Sequence, residues 1–143
     1  MKAKLVLLGI LILEFSNLSS QTWVLRAPLP GVARTNAVAF SIGNKGYIAT
    51  GYDGTIHLKD LWEYTPSTDS WVQKSNMPGE GREGAVVFVI GTKAYIACGQ
   101  GDTSFLRDMW EWDKPTDTWQ SRANFPGTKR SEAAAFSVGT RGY

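Results

Sequence analysis

Residues 33–51 read ARTNAVAFSIGNKGYIATG, and residues 81–99 read GREGAVVFVIGTKAYIACG. Each stretch contains an apolar run that ends at a glycine and a second apolar run that starts two residues later. Two β-rich runs joined by a two-residue turn with glycine indicate a β-hairpin. The same hairpin is therefore predicted twice, with starting points 48 residues apart.

The repeat extends well beyond these hairpins. Residues 23–70 and 71–118 align without a gap and are identical at 22 of 48 positions. A third, partial copy at 119–143 matches 71–95 at 10 of 25 positions. Internal repeats of 20–50 residues indicate a solenoid, a propeller or another array, in which each copy is one structural unit.

One copy contains four predicted strands. They cover residues 37–43, 45–51, 60–66 and 71–77, and the polar, glycine-containing stretch 52–59 is predicted as a loop. No helical spacing of apolar residues occurs after residue 20. Four antiparallel strands per copy are typical of one blade of a β-propeller, so the predicted fold class is all-β.

The order of motifs within a copy resembles the kelch repeat. An Arg precedes an apolar strand, which is followed by Tyr-Ile-Ala-x-Gly, then Asp-x-Trp-Glu-aromatic, then Thr-Asp-x-Trp. The pattern departs from the kelch pattern after the second strand, where the usual glycine pair is Gly51-Tyr52 in one copy and Gly99-Gln100 in the other. The resemblance covers residues 21–143 and implies a kelch-type β-propeller.

This resemblance assigns the parts of the chain. It implies about 2.5 blades: strand four of a split blade at 23–30, a first full blade at 34–78, a second at 82–126 and the start of a third at 130–143. Because kelch propellers close with about six or seven blades, we expect an N-terminal portion of a longer protein. The alternative is a short protein whose ring is assembled from several chains.

The first 20 residues have the layout of a secretory signal peptide. Lys2 and Lys4 precede nine uninterrupted apolar residues, Leu5 to Leu13, and a more polar stretch ends in small residues at Ser20. Nine apolar residues are too few to span a bilayer, which needs about 20. We therefore expect cleavage near Ser20 and a secreted or periplasmic protein without a membrane span.

Composition excludes several kinds of site. The formal net charge is +2 without a run of basic residues, which argues against nucleic acid as a partner. With one His and one Cys in the sequence, we expect no disulfide, no metal site and no cofactor. Cys98 is predicted to be a small buried residue, and His57 a solvated loop residue.

The candidate ligand-binding residues lie beside the innermost strand of each blade. Arg34, Arg82 and Arg130 precede that strand, and the resemblance implies that arginines here can bind acidic groups of a partner. The alternative is that each arginine bonds locally to carbonyl groups or to a neighbouring blade. Other candidates adjoin these arginines and vary between copies; they are Asn36, Glu83 and Glu132.

Other repeated residues are predicted to be structural. The aromatic and glycine positions are expected to pack blade against blade and to form turns; they are Trp62, Trp71, Trp110, Trp119, Tyr47, Tyr95, Gly51 and Gly99. Asp60 and Asp108 are expected to accept hydrogen bonds from backbone N–H groups of the preceding loop.

Two classes of function remain. The preferred one is a secreted, non-catalytic kelch module that binds a protein or a glycan on the propeller face, with no catalytic residue assigned. The alternative is part of a carbohydrate-active kelch enzyme, such as a sialic acid mutarotase or a galactose oxidase-like protein. The copper site of the latter requires two His and a Tyr–Cys crosslink, which this sequence does not contain. Self-assembly is expected if the chain is complete.

Overall fold

The computed structural model describes residues 23–143, so the predicted signal peptide lies outside the described residues. These residues form ten β-strands and no helix, in agreement with the predicted all-β class. Within this part of the chain, there is accordingly no helix long and apolar enough to cross a membrane.

The first blade is a four-stranded antiparallel sheet with its strands in chain order. The strands are β1 (Val38–Ile42), β2 (Lys45–Ala49), β3 (Leu61–Thr65) and β4 (Ser70–Lys74). Ile42 pairs with Lys45 across the predicted two-residue turn, where Gly43 adopts a positive φ of 63°. Glycine tolerates this left-handed conformation, which matches the twist of the hairpin.

The second blade repeats the first. Its strands are β5 (Val86–Ile90), β6 (Lys93–Ala97), β7 (Met109–Asp113) and β8 (Thr118–Arg122), again in chain order. A short hairpin of β9 (Ser137–Val138) and β10 (Arg141–Gly142) follows. The described residues are therefore two full blades and the start of a third, and the sheets do not close into a ring.

The hydrophobic core lies between the two full blades. The innermost strands β1 and β5 lie side by side, and the rings of Tyr47 in β2 and Trp112 in β7 meet edge to face with centroids 5.2 Å apart. Trp112 is completely buried. Residues of both blades form one buried cluster; they are Val38, Ile42, Tyr47, Ala49, Leu61, Met77, Ala94, Ile96 and Trp112.

The strand predicted at 23–30 is not formed in the structure. Residues 23–30 belong to no strand, and Trp23 is fully exposed. A strand needs a hydrogen-bonded neighbour, and no described strand pairs with this segment. Ala27 nevertheless contacts blade 1, because Trp71 Nε1 donates to its carbonyl oxygen. The equivalent contact with blade 2 is made by Ser75, whose carbonyl oxygen accepts from Trp119 Nε1.

Candidate binding face

The long connections of the blades all lie at one end of the sheets. The β2–β3 and β6–β7 loops cover 50–60 and 98–108, and the chain crosses from β4 to β5 at 75–85 on the same end. Backbone bonds join these segments, such as Arg82 N to Leu58 O at 3.0 Å and Met77 N to Lys59 O at 2.9 Å. The other end carries only tight turns. We call the first end the long-loop face.

Two of the three candidate arginines are buried beneath this face and form ion pairs there. Arg34 binds both carboxylate oxygens of Asp60, with Nη2 2.8 Å from Oδ2. Arg82 binds both oxygens of Asp108 at 2.6 and 2.8 Å. Each guanidinium also donates to a backbone carbonyl, that of Thr50 or Cys98. These contacts correspond to the local-bonding alternative and leave the two guanidiniums engaged.

The aspartates accept different donors from those predicted. Asp60 and Asp108 accept hydrogen bonds from the arginine guanidinium and from the indole N–H of Trp62 or Trp110, and not from backbone N–H groups of the loop as predicted. Both indole bonds are 2.7 Å long. The indole reaches the carboxylate because residues two apart in a strand point to the same face. Burial opposes ionisation, but the arginine lowers the pKa of each carboxyl below its usual value.

Arg130 differs from its two counterparts. It is exposed, and its side chain bonds to Thr128 while its guanidinium lies 4.5 Å from the centre of the Phe125 ring. The position 26 residues further on, where Asp60 and Asp108 stand in the other copies, would be 156 and lies outside the sequence of 143 residues.

Asn36 and Glu132 occupy equivalent positions with Gly84 between them. All three have positive φ angles, of 50°, 54° and 55° respectively. Gly84 N donates to Asn36 O, and Glu132 N donates to Gly84 O, which joins successive blades at the start of their innermost strands. The side chains of Asn36 and Glu132 are consequently exposed at the edge of the long-loop face.

Glu83 belongs to a cluster that sequence reasoning missed. Asn36 Nδ2 donates to Glu83 Oε2 at 3.0 Å, and His57 Nε2 lies 3.5 Å from Glu83 Oε1. The other ring nitrogen of His57 lies 2.6 Å from Asp102 Oδ1. The prediction that His57 is solvated is therefore wrong: its side chain is only 8 % exposed, because loops from both blades pack around it.

Two apolar side chains project from the long-loop face. Ile56 is 53 % exposed and Phe105 is 48 % exposed, each near the tip of a β2–β3-type loop. Asp53 and Asp102 lie in the same two loops. The exposed surface of this face therefore combines apolar tips with carboxylates and with the cations Lys59 and Arg107 of the same loops.

The repeated aromatic residues pack as structural residues. Trp110 and Trp119 pack against the core, Trp71 lies 4.9 Å from the Tyr64 ring, and Trp62 contacts Gly31. Sequence reasoning did not single out Trp112, although it stands two residues from Trp110 on the same side of the strand.

Tyr47 and Tyr95 each lie opposite a glutamate of their own blade, the half-buried Glu63 and the buried Glu111. Tyr47 Oη donates to Glu63 at 2.7 Å, and burial raises the pKa of Tyr47 well above its usual value. In blade 2, Glu111 accepts bonds from Arg122 at 2.7 Å and Lys93 at 2.6 Å. Sequence reasoning did not identify this network.

Gly51 and Gly99 end the second strand of each blade. Their φ angles are 106° and 99°, and a Cβ at either position would lie 2.8 or 2.7 Å from the backbone oxygen of Thr35 or Glu83. Only glycine fits both the conformation and this close approach. Cys98, next to Gly99, is buried as predicted, and burial raises the pKa of its thiol. Over residues 23–143, no group of three or more His, Cys, Asp or Glu side chains is arranged to hold a metal ion.

Comparison with known proteins supports the fold. Residues 33–78 match the family model described as the kelch motif. The solved structure titled "Structure of YjhT" superimposes with a TM-score of 0.74 and 23% identity, over 82% of this chain and 46% of that one. The chain thus spans about half the length of YjhT. A comparison with curated protein sequences found no match.

Proposed function

Because the chain carries a kelch motif and folds as blades of a kelch propeller, we propose that it is an exported, non-catalytic binding module. Its ligand is a protein that contacts the long-loop face. The observation that carries this proposal is the placement of the long connections of both blades at one end of the sheets.

The chemistry of the face favours a protein ligand over a small anion. Two of the three arginines suited to a carboxylate or phosphate, Arg34 and Arg82, are held by Asp60 and Asp108, and Arg130 is the exposed one. The other exposed groups include the apolar tips Ile56 and Phe105, beside carboxylates. Protein interfaces combine apolar anchors with a polar rim in this way.

Export is part of the proposal and rests on the first 20 residues. Lys2 and Lys4 are followed by an apolar run, as in a secretory signal peptide. Edman sequencing of the protein recovered from culture medium tests it; a new N-terminus near residue 21 is the expected result. Retention of Met1 in a protein found only inside cells would overturn export without affecting the binding proposal.

The binding proposal is tested by capturing the ligand from the cell exterior with the immobilised protein and then measuring its affinity for variants. We expect the Ile56→Ser, Phe105→Ser double variant to bind at least about tenfold more weakly, since exposed anchors dominate interface energy. The matched control is Ser67→Ala with Thr92→Ala, two exposed residues in the tight turns at the opposite end.

Two results would overturn this assignment. Equal binding by the long-loop variant, with weaker binding by the tight-turn control, would place the ligand at the other end. Thermal stabilisation by simple sugars without any protein ligand would make the ligand a glycan, and turnover of those sugars would favour the carbohydrate-active enzyme.

A further inference from the structure

The imidazole of His57 is buried at the junction between the two full blades. Its side chain is 8 % exposed, and its ring lies on the ring of Tyr52 from the same loop, with centroids 4.8 Å apart. The backbone of this loop also packs closely, because a Cβ on Gly81 would lie 2.0 Å from the His57 carbonyl oxygen.

Each ring nitrogen of His57 faces a different carboxylate, one in the 98–108 loop of blade 2 and one in the 75–85 crossover that leads into blade 2. Nδ1 lies 2.6 Å from Asp102 Oδ1, and Nε2 lies 3.5 Å from Glu83 Oε1. Nε2 is buried and has no hydrogen-bond partner. The two carboxylates come from separate segments, 19 residues apart in the chain, so the imidazole links three stretches of backbone.

The geometry constrains where the protons are. An ionised carboxylate only accepts hydrogen bonds, so Nδ1 at 2.6 Å from Asp102 carries a proton. A neutral ring would then direct the bare lone pair of Nε2 towards the Glu83 carboxylate in a buried site, which is unfavourable. A second proton on Nε2 removes this conflict and gives a cation between two anions.

No other cation neutralises these carboxylates among residues 23–143. Glu83 accepts only the neutral amide of Asn36, and Asp102 bonds through its side chain only to His57. Glu80 approaches Asp102 through the backbone N–H of that residue, which adds a further negative charge. Lys59 and Asp60 line the adjoining hollow, where Asp60 is already paired with Arg34.

We infer that His57 is a doubly protonated clamp that joins the 50–60 loop of blade 1 to Glu83 and Asp102, and that loss of its charge loosens the long-loop face. The inference rests on the fold and not on the proposed ligand. His57 in turn lowers the pKa of Asp102, chiefly through their hydrogen bond. The clamp therefore requires an ionised Asp102 beside the protonated imidazole.

The next junction lacks this device. Phe105 stands where His57 stands in the repeat, and Ser131 stands at the position of Glu83. Histidine changes charge between about pH 5 and 8, so the first junction alone is expected to respond to mild changes in pH.

The test uses the presence of only one His in the sequence. In the whole protein labelled at imidazole nitrogens, NMR at pH 6 is expected to show both nitrogens protonated. Thermal unfolding then compares the protein with His57→Gln. We expect the melting temperature of His57→Gln to be lower by about 4 °C at pH 6, and the difference to shrink by about pH 8.5 without vanishing, because a neutral ring keeps its Nδ1–H bond to Asp102.

Two variants accompany this test. The Asp102 side chain is 66% exposed and so not needed for packing. In Asp102→Asn, the change in melting temperature between pH 6 and pH 8.5 is expected to be at most half of that in the unmodified protein. Glu132→Gln removes an exposed carboxylate of the same face. Its melting temperature is expected to change with pH as much as that of the unmodified protein. An unprotonated ring nitrogen of His57 at pH 6 would overturn the inference. Parallel curves of melting temperature against pH for the protein and Asp102→Asn, between pH 5.5 and 8.5, would also overturn it, even if His57→Gln fails to fold.

Discussion

Arg82 is an arginine without exposed surface, and its partners explain the spacing of 26 residues between Arg and Asp in each copy. Its guanidinium holds Asp108 with two bonds and the Cys98 carbonyl with a third. Cys98 has a positive φ of 60°, as has Thr50 in blade 1 at 61°. The arginine thus binds the carbonyl of a residue in an unfavourable conformation and contributes to holding it.

Arg82→Ala is expected to destabilise the protein by about 3–5 kcal/mol, because it leaves the Asp108 carboxylate half-buried without its cation. The measurement is the free energy of unfolding in urea at pH 7. Arg107→Ala, the matched control, removes an exposed arginine and is expected to change stability by less than about 0.5 kcal/mol. Similar losses in both variants would show that Arg82 contributes only as a surface charge.

Glu111 gives a prediction about acid stability. Its hydrogen bond with Arg122 is the largest cause that lowers its pKa to about 2. A carboxyl with a lowered pKa in the folded state stabilises above its unfolded pKa, about 4.3, and this stabilisation is lost as the pH falls towards 2. Glu111→Gln should be less stable at pH 7, and its deficit should shrink between pH 4.5 and 2 in urea titrations. A deficit independent of pH would contradict this.

At the scale of the element, the end of the second strand is fixed by glycine. Gly99 combines a φ of 99° with a Cβ position only 2.7 Å from the Glu83 carbonyl oxygen. The Gly91 turn has a φ of 60° but nothing within 4 Å of a Cβ. Both glycines relieve backbone strain, and only Gly99 also allows two stretches of backbone to approach.

Gly99→Ala is accordingly expected to cost about 2–4 kcal/mol, from left-handed strain together with the backbone clash. Gly91→Ala, the matched control, should cost only about 1–2 kcal/mol, from the strain alone. Chemical denaturation of both variants measures the difference. Equal losses would mean that the strand end moves readily and that the close approach has no energetic cost.

At the scale of the whole molecule, stability depends on the contact between blades, since each blade is a single sheet and buries its faces only against a neighbour. Trp112 has no exposed surface and meets Tyr47 of the other blade. At the tight-turn end, Lys114 Nζ donates to Ile42 O at 3.2 Å across the same junction.

Trp112→Ala is expected to destabilise the protein by about 3–5 kcal/mol, the usual cost of removing a large buried aromatic side chain. Trp23→Ala, the matched control, removes a fully exposed tryptophan and should leave the unfolding midpoint unchanged. The pair is compared by urea unfolding followed by circular dichroism. A loss in Trp23→Ala as large as in Trp112→Ala would indicate that residues 23–30 are packed in solution.

The sequence by itself determined the repeat, the four strands of each blade and their turns. Alternation of side chains and the glycine turns act over a few residues, and three gap-free copies reinforce each other. The buried state of Cys98 also followed from its place at the end of a predicted strand. The alignment of the repeat also predicted a strand at 23–30, which no described strand pairs with, since a strand depends on a partner outside its own segment.

Only the tertiary structure decided which charges meet. Asp60 and Asp108 bind arginines 26 residues away, and His57 meets Asp102 at a separation of 45 residues. Trp112 and Glu111 are both buried although they point to opposite sides of one strand, because Trp112 packs against blade 1 and Glu111 lies beneath the side chains of Lys93 and Arg122. A sequence pattern reports the direction of a side chain relative to its own strand, whereas its partner depends on how neighbouring blades pack.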